Sequence, residues 1–171
     1  MEIRQETKVD IEGIHKVNCE AFDTNAEAKI VDALRDSGHL ELSLIAVEDG
    51  MVIGHIAYSP MHFENPQSSL KVMALAPMAV APNYQKKGVG SKLVKASIEE
   101  LKKRNVDLVF LIGYPEYYPK FGFKPAFTTL GVKSNFEGVP DEAFMVLNLS
   151  ENDFDLKTTK VFFRSEFSES L

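Results

Sequence analysis

The stretch "MAVAPNYQKKGVGSKL", residues 78–93, joins the end of an apolar segment to the start of a helical pattern. Its polar turn, 83–87, is followed at once by Gly88 and Gly90. The first turn of a helix leaves backbone N–H groups unpaired and carries a partial positive charge. Because glycine lets a ligand approach the backbone closely, the stretch predicts an anion site that is best suited to phosphate. Three side chains add positive charge or a hydroxyl to this site: Lys86, Lys87 and Ser91.

Other interpretations of the same residues differ in how well they fit. An ordinary turn also uses glycine to supply a positive φ, and its lysines are then simply solvated. A P-loop requires G-x-x-x-x-G-K-(S/T), which this sequence does not contain. A dinucleotide fingerprint requires a third glycine where the chain has Leu93, and an acidic residue at the end of the next strand, whereas Asp107 begins that strand.

Hydrophobic periodicity on both sides of this stretch predicts a mixed α/β domain. Residues 70–81 read as a long apolar strand, 88–104 as an amphipathic helix, and 107–113 as a strand buried on both faces. The other expected elements are strands at 2–7, 44–47, 51–58 and 143–149, helices at 10–21 and 25–38, and a short helix or turn at 114–123. With no linker and no internal repeat, one domain over 1–171 is expected, with a C-terminal extension at 150–171 that can add an edge strand.

Composition excludes several classes of protein. The net charge is −6 and the lysines are scattered, which argues against a nucleic-acid partner. No apolar run approaches the ~18 residues of a membrane span, and "MEIRQETKVD" lacks the apolar core of a signal peptide. The single cysteine, Cys19, favours a reducing compartment, so a cytoplasmic protein without a membrane partner is expected. The histidines and this cysteine show no metal-ligand spacing, so no metal is expected.

Two blocks of the sequence resemble the GNAT N-acetyltransferase superfamily. "VAPNYQKKGVGSKL" is similar to its acetyl-CoA signature, (R/Q)-x-x-G-x-(G/A), with Gln85, Gly88 and Gly90 at the fixed positions. "YYPKFGF" is similar to the family's Y-x-x-x-G-F, which begins here at Tyr118. The segments "EAKIVDALR", "DEAFMVLNL" and "VFFRSEF" resemble the YhbS-like branch, so the resemblance covers most of the chain in the family's order.

The resemblance implies a mostly antiparallel sheet of six to seven strands with about four helices on both faces. Strands 70–81 and 107–113 would form a parallel pair that splays apart, and the gap would admit the pantetheine arm of CoA. Backbone amides of the glycine turn would hold the pyrophosphate. The residues that the resemblance assigns to the cofactor are Met78, Ala79 and Val80 on the strand, and Gln85, Lys86, Lys87, Gly88, Val89, Gly90 and Ser91 in the turn.

The activity implied by the resemblance is transfer of an acetyl group from acetyl-CoA to a primary amine of a small molecule or a protein. The amine attacks the thioester directly, a tetrahedral oxyanion forms, and the CoA thiolate leaves. A strand amide near Ala79 or Val80 would stabilise the oxyanion, and Tyr118 would protonate the thiolate.

The general base is not identified by the sequence. The strand at 70–81 has no carboxylate, and candidates exist only by residue type: His55, His62, Glu27 and Glu116. A water relay, or an amine that is deprotonated before it binds, would serve equally well. Because the base is missing, a CoA-binding sensor or interaction domain without turnover stays open as the alternative. The tail, with Phe162, Phe163 and Phe167, could cover the core or form a homodimer contact.

Overall fold

The computed structural model describes residues 1–65, 69–156 and 158–169. Its strands are β1 (Glu2–Gln5), β2 (Leu42–Glu48), β3 (Met51–Pro60), β4 (His62–Phe63), β5 (Val72–Val80), β6 (Leu108–Ile112), β7 (Lys124–Pro125), β8 (Val132–Ser134), β9 (Phe144–Asn148) and β10 (Thr159–Phe162). Its α-helices are α1 (Ile11–Phe22), α2 (Ala26–Asp36), α3 (Val89–Lys103), α4 (Ala126–Leu130) and α5 (Glu166–Glu169). Short 3-10 turns lie at Lys8–Asp10, Pro82–Tyr84 and Tyr118–Phe121.

In the part of the chain that the structure describes, seven strands form the main sheet in the order β1-β2-β3-β5-β6-β9-β7. β1 and β3 pair antiparallel with β2, and β6 and β7 pair antiparallel with β9, whereas β5 and β6 are parallel. This arrangement confirms the mixed, mostly antiparallel fold and the parallel pair. Five α-helices are present in the described residues rather than about four, because α4 and α5 are too short to give a periodic pattern.

The parallel ladder between β5 and β6 is short. It pairs Val72 to Ala74 with 108–110, and β5 then continues to Val80. Pro77 lies in this second half of β5 and has no N–H to donate to a neighbouring strand. Within the described residues this ladder has three pairs, as expected of the splayed pair that the sequence predicts.

The chain divides into two compact units. The first unit comprises residues 1–59, 75–100 and 165–171. Its β2–β3 hairpin turns at Asp49 and Gly50, whose φ angles of 51° and 75° are those of the tight turn that the sequence predicts. Helices α1 and α2 bury one apolar face each, and Ile14, Val31 and Ile45 pack together in the core. Full burial of such a side chain contributes about 1.5–3 kcal/mol.

The second unit comprises residues 60–74 and 101–164. Four of the five residues of β6 are buried, as a continuous apolar run predicts. Phe110 lies at the centre of its aromatic core. The ring of Phe110 stacks on Phe144 with centroids 5.4 Å apart, and Phe63 meets it edge-on at 6.4 Å. Such pairs add about 0.5–1.5 kcal/mol each beyond their buried area.

The C-terminal strand is not an edge strand, so that part of the expectation for 150–171 was wrong. β10 is the middle strand of a separate three-stranded sheet in the order β4-β10-β8. It pairs antiparallel with β4 and parallel with β8. Both partners have only two or three residues, too few to show strand periodicity in the sequence. Residues 157, 170 and 171 of the predicted extension lie outside the described residues.

The phenylalanines of the tail cover the chain's own cores. Phe163 in the second unit and Phe167 in the first are each only 6% exposed. Phe162 stacks on His62, with ring centroids 5.2 Å apart. Of the two roles expected for these rings, the structure therefore shows the covering of the core, whereas the homodimer stays a prediction. The assignment of 1–171 to one domain also stays a prediction.

At the amino end of α1, Asp10 is held by bonds to residues that precede the helix. Asp10 precedes α1, but its side chain makes no capping bond to that helix. It instead accepts from the backbone N–H and the hydroxyl of Thr7, at 2.7 and 3.0 Å, and from both Nη atoms of Arg4. These bonds, chiefly the one from Arg4, hold the pKa of the Asp10 carboxyl far below its usual value. Among the helices of the described residues, none combines the length and apolarity needed to cross a membrane.

Candidate functional site

The glycine turn follows β5 in the first unit. After Val80 the chain makes a 3-10 turn at Pro82–Tyr84 and reaches Gly88, from which α3 begins. The φ angles of Lys86 and Gly88 are 61° and 87°, in the left-handed region. A Cβ at Gly88 would meet no atom within 4 Å, so the backbone there is open to an approaching group. The predicted anion site requires an exposed backbone at the positive end of a helix, and the fifteen-residue α3 has such a backbone at its start.

Gln85 fixes the entrance to this turn. Its side-chain amide donates to the carbonyl oxygen of Val80, the last residue of β5, at 2.9 Å. The side chain therefore holds the turn against the end of the strand, and this amide nitrogen is committed to the protein rather than directed at a ligand. The signature position was visible in the sequence, but this contact was not.

Helix α3 packs closely on β3 because residue 54 is glycine. A Cβ at Gly54 would lie 3.0 Å from Val89 Cγ1 and 3.0 Å from Leu93 Cδ1, tighter than ordinary van der Waals contact. The buried hydroxyls of Tyr58 and Ser97 bond at 2.7 Å and join the same two elements further along. The first turn of α3 is thus held at a fixed distance from the sheet.

The predicted cofactor residues divide by exposure. Lys86, Lys87 and Gly88 are exposed, and Gly90 and Ser91 are partly exposed. Val89 points inward and is 5% exposed, which leaves its backbone as its possible contribution to a ligand site. On β5, Met78 and Val80 are partly exposed whereas Ala79 between them is buried, as alternation along a strand requires. The structure brings all ten of these residues together in the first unit.

Tyr118 belongs to the second unit and begins the 3-10 turn Tyr118–Phe121. Its ring is half-buried and meets Phe123 and Tyr117 edge-on, with centroids 5.8 and 5.0 Å away. Burial, aided by the neighbouring Tyr117 and Tyr114, raises the pKa of Tyr118 to about 12. The hydroxyl therefore keeps its proton near neutral pH and can donate a hydrogen bond.

His55 is a core residue. It is completely buried, its Nδ1 accepts from the amide of Asn18 at 3.1 Å, and its Nε2 lies 2.9 Å from the hydroxyl of Ser43. Since Asn18 Nδ2 also donates to the carbonyl of Ile14, the network assigns the proton to Nε2. Burial, with a smaller effect from the charge of Arg35, lowers the pKa of His55 to about 3. With both nitrogens engaged and no access to solvent, His55 is unsuited to act as the general base.

The other candidate bases have different surroundings. His62 is exposed on β4 and stacks on Phe162, and Glu116 is exposed. Glu27, on the first turn of α2, is partly buried. Its Oε2 is shielded from solvent and has no hydrogen-bond partner among the described residues. Leaving a buried carboxylate oxygen without a hydrogen-bond donor costs free energy. Glu27 is therefore the candidate base whose carboxylate still lacks a donor.

The burial of His55 predicts a pH-dependent stability. Between pH 6.5 and 3 the unfolded chain binds a proton at this residue that the folded chain excludes, so stability is lost as pH falls through this window. From pH 7 to pH 5 we expect this residue to cost about 2 kcal/mol of unfolding free energy, measured by urea titration. His55→Gln should remove this slope, whereas His39→Gln, at a partly exposed histidine, should keep it. An undiminished slope in His55→Gln would contradict the assignment.

No group of three or more His, Cys, Asp or Glu side chains is placed to hold a metal ion within 1–65, 69–156 and 158–169.

Two glycines, Gly54 and Gly113, lie near the predicted site residues, and the sequence gave no indication of their importance. Their role depends on side chains that reach them from elsewhere in the chain.

Comparison with known proteins agrees with this geometry. The family model described as "Acetyltransferase (GNAT) domain" matches residues 2–126. The chain is 35% identical to the uncharacterized N-acetyltransferase YjhQ of Escherichia coli strain K12, over 79% of this chain and 75% of that protein. It is 32% identical to the uncharacterized N-acetyltransferase YhbS of the same strain, over 98% of this chain and 99% of YhbS.

Two solved structures of similar proteins contain the cofactor. The structure of Escherichia coli YhbS in complex with CoA superposes with a TM-score of 0.88 at 30% identity, covering 98% of this chain and 91% of that one. A GNAT family acetyltransferase from Brucella melitensis in complex with acetyl-CoA gives a TM-score of 0.79 at 31% identity, covering 97% of each chain. Sequence, fold and the two signature blocks agree, and the chain belongs to the GNAT acetyltransferase family.

Proposed function

We propose that this chain is an acetyl-CoA-dependent N-acetyltransferase that acetylates a primary amine by direct transfer through a tetrahedral intermediate. The observation that carries the proposal is the open glycine turn directly after β5, a strand whose parallel ladder ends at Ala74. Family membership supports it, as do the CoA and acetyl-CoA that similar proteins hold. The cytoplasmic location expected from the single cysteine, Cys19, is retained as part of the proposal.

The described residues fit the cofactor. The backbone of Met78, Ala79 and Val80, beyond the last pair of the β5–β6 ladder, would take the pantetheine arm as an added strand. Amides from 86–91 would hold the pyrophosphate, with the exposed lysines of the turn adding positive charge. Gln85 would act indirectly, by holding the turn against β5.

The chemistry makes one bond and breaks one. The amine nitrogen attacks the thioester carbonyl, an amide near Ala79 or Val80 stabilises the oxyanion, and the C–S bond then breaks. The ammonium proton passes to water or to a base, for which Glu27 is the best candidate because of its unpaired oxygen. The CoA thiolate leaves while Tyr118 donates a hydrogen bond to the sulfur.

The pKa of Tyr118 qualifies its expected role as proton donor. A thiol has an ordinary pKa of about 8.5, so complete transfer from a hydroxyl with a pKa of about 12 is uphill by about 5 kcal/mol. A thiolate shielded from water becomes more basic, which reduces this difference. In the proposal Tyr118 therefore stabilises the leaving sulfur by a hydrogen bond, and the transfer completes only as the thiolate gains basicity.

A second candidate function, CoA binding without turnover, is favoured by two observations. The candidate base His55 is buried, and both of its ring nitrogens are engaged in hydrogen bonds. Strand β5 carries no carboxylate that could serve as the base instead. A domain of this kind would bind the cofactor at the same glycine turn and report its presence to a partner.

The test is incubation of the protein with acetyl-CoA and a panel of primary amines, followed by mass spectrometry, with CoA affinity measured by calorimetry. Turnover of at least one amine supports the acetyltransferase. Binding of CoA without turnover across polyamines, amino acids, aminoglycosides and peptide amino termini would favour the second candidate. An absence of CoA binding would contradict both.

A further inference from the structure

Tyr118 lies directly against Gly113, the residue that follows β6. A Cβ at Gly113 would be 2.6 Å from Cε2 and 3.1 Å from Cδ2 of the Tyr118 ring. Real Cβ atoms essentially never come within 3.0 Å of a heavy atom outside their own residue and its two chain neighbours. Any larger residue at this position must therefore move the ring or the backbone. The crowding does not come from an unusual φ, so the requirement for glycine here is purely one of space.

The backbone at Gly113 is not free to move. Its N–H donates to the carbonyl oxygen of Ala143 at 2.9 Å, and this bond continues the antiparallel pairing of β6 with β9. The pairing covers every residue of β6, up to Ile112 opposite Phe144. A methyl group at residue 113 would also lie 3.2 Å from Leu111 Cδ1. The strand is held by its partner, so the Tyr118 ring is the group that must yield.

The ring is confined on its other sides as well. Phe123 and Tyr117 meet it edge-on, and Phe123 itself is only 2% exposed. Gly113 thus supplies one wall of a slot, and two aromatic rings supply two others. If the distance between a Cβ at residue 113 and the Tyr118 ring increases from 2.6 Å to an ordinary value of about 3.6 Å, the ring moves by about 1 Å.

We propose that Gly113 is a positioning residue for acetyl transfer: by lacking a side chain, it sets where the Tyr118 hydroxyl stands relative to the leaving sulfur. The inference rests on the proposed function, because the position of this hydroxyl matters to the reaction only if Tyr118 serves acetyl transfer. A misplacement of about 1 Å is sufficient to cost roughly 100-fold in rate.

The test compares Gly113→Ala with the wild-type chain. We expect kcat to fall by roughly 10- to 100-fold while CoA affinity by calorimetry is unchanged, because the glycine turn is not altered. In protein labelled with 13C-tyrosine, the Tyr118 ring resonance, identified by its loss in Tyr118→Phe, should shift at neutral pH. The matched control is Gly13→Ala, where a Cβ would lie 2.9 Å from Val52 Cγ2 in the other unit. It should lower stability but leave kcat and the Tyr118 resonance unchanged.

A double variant separates positioning from a general loss of packing. If Gly113 acts through the hydroxyl, Gly113→Ala should cost nothing further in kcat when added to Tyr118→Phe. A further loss of kcat in that background would overturn the proposal. A wild-type kcat in Gly113→Ala, with Tyr118→Phe impaired, would overturn it too and leave the proposed function intact.

Two remaining outcomes are also decisive. If Tyr118→Phe retains full kcat, the assigned role of Tyr118 is wrong. If the wild-type chain acetylates no amine, the proposed function is wrong. In either case the proposal for Gly113 is overturned as well. If Gly113→Ala does not fold, Phe123→Leu removes another contact of the Tyr118 ring. It should lower kcat at unchanged CoA affinity, and an unchanged kcat would overturn the proposal.

Discussion

Tyr118→Phe is expected to lower kcat by about 10²- to 10⁴-fold while CoA binds as before. The substitution keeps the ring in its slot between Gly113, Tyr117 and Phe123 and removes only the hydroxyl. With that hydroxyl gone, the sulfur must leave as a thiolate without a donor, which raises the barrier of the transfer step. The measurement is steady-state release of free CoA, with the amine identified by the panel, together with calorimetry of CoA binding.

Tyr117→Phe is the matched control for this prediction. Tyr117 is adjacent, its ring contacts Tyr118, and the ammonium of Lys120 lies 4.0 Å from its ring centroid. Phenylalanine keeps these ring contacts, so kcat should stay within about threefold of wild type, as for a change that leaves the reacting groups intact. Equal losses in both variants would show that the aromatic cluster, and not the hydroxyl of Tyr118, sets the rate.

Gly88→Val is expected to weaken CoA binding by about 100-fold or more. Valine at a φ of 87° strains the backbone, and its side chain would enter the space over the amides that are proposed to receive the pyrophosphate. Hydrogen bonds to a charged group contribute about 1.5–3 kcal/mol each, so the loss of one or two accounts for this factor. Calorimetry with CoA measures the change directly.

The hairpin turn provides a matched control. Gly50 has a φ of 75°, and a Cβ there would likewise meet nothing within 4 Å. Gly50→Val therefore imposes a similar backbone strain at a distance in sequence from the glycine turn. It should lower Tm to a similar extent and leave CoA affinity unchanged. Affinity that survives Gly88→Val, or that falls as much in Gly50→Val, would refute an anion site at the turn.

The main sheet was largely predictable because its long strands bury continuous or alternating apolar residues. The segment 70–81 became β5 (Val72–Val80), and 107–113 became β6 (Leu108–Ile112). The position of β10 was not predictable, because a strand is assigned to an edge or a centre by its partners. Those partners, β4 and β8, have no pattern of their own and lie far from β10 in the sequence.

The candidate site shows the same division. Gly88 was predictable because the motif that indicates an open backbone at a helix start consists of residues close to it in the sequence. Gly113 was not, because its requirement comes from the ring of Tyr118, which reaches back across a turn. The burial of His55 was not predictable either, because its contacts with Asn18 and Ser43 depend on helix α1 and strand β2.

The three-stranded sheet pairs a strand inside the segment that matches the family with strands that lie after it. The match ends at residue 126, whereas β8 and β10 lie beyond it and β4 lies within it. Because β10 stands between the other two, a chain trimmed to the matched segment would leave the two-residue strand β4 without its partner in this sheet. We therefore expect the minimal folding unit of this protein to be longer than the segment by which its family is recognised, and deletion studies should keep β8 and β10.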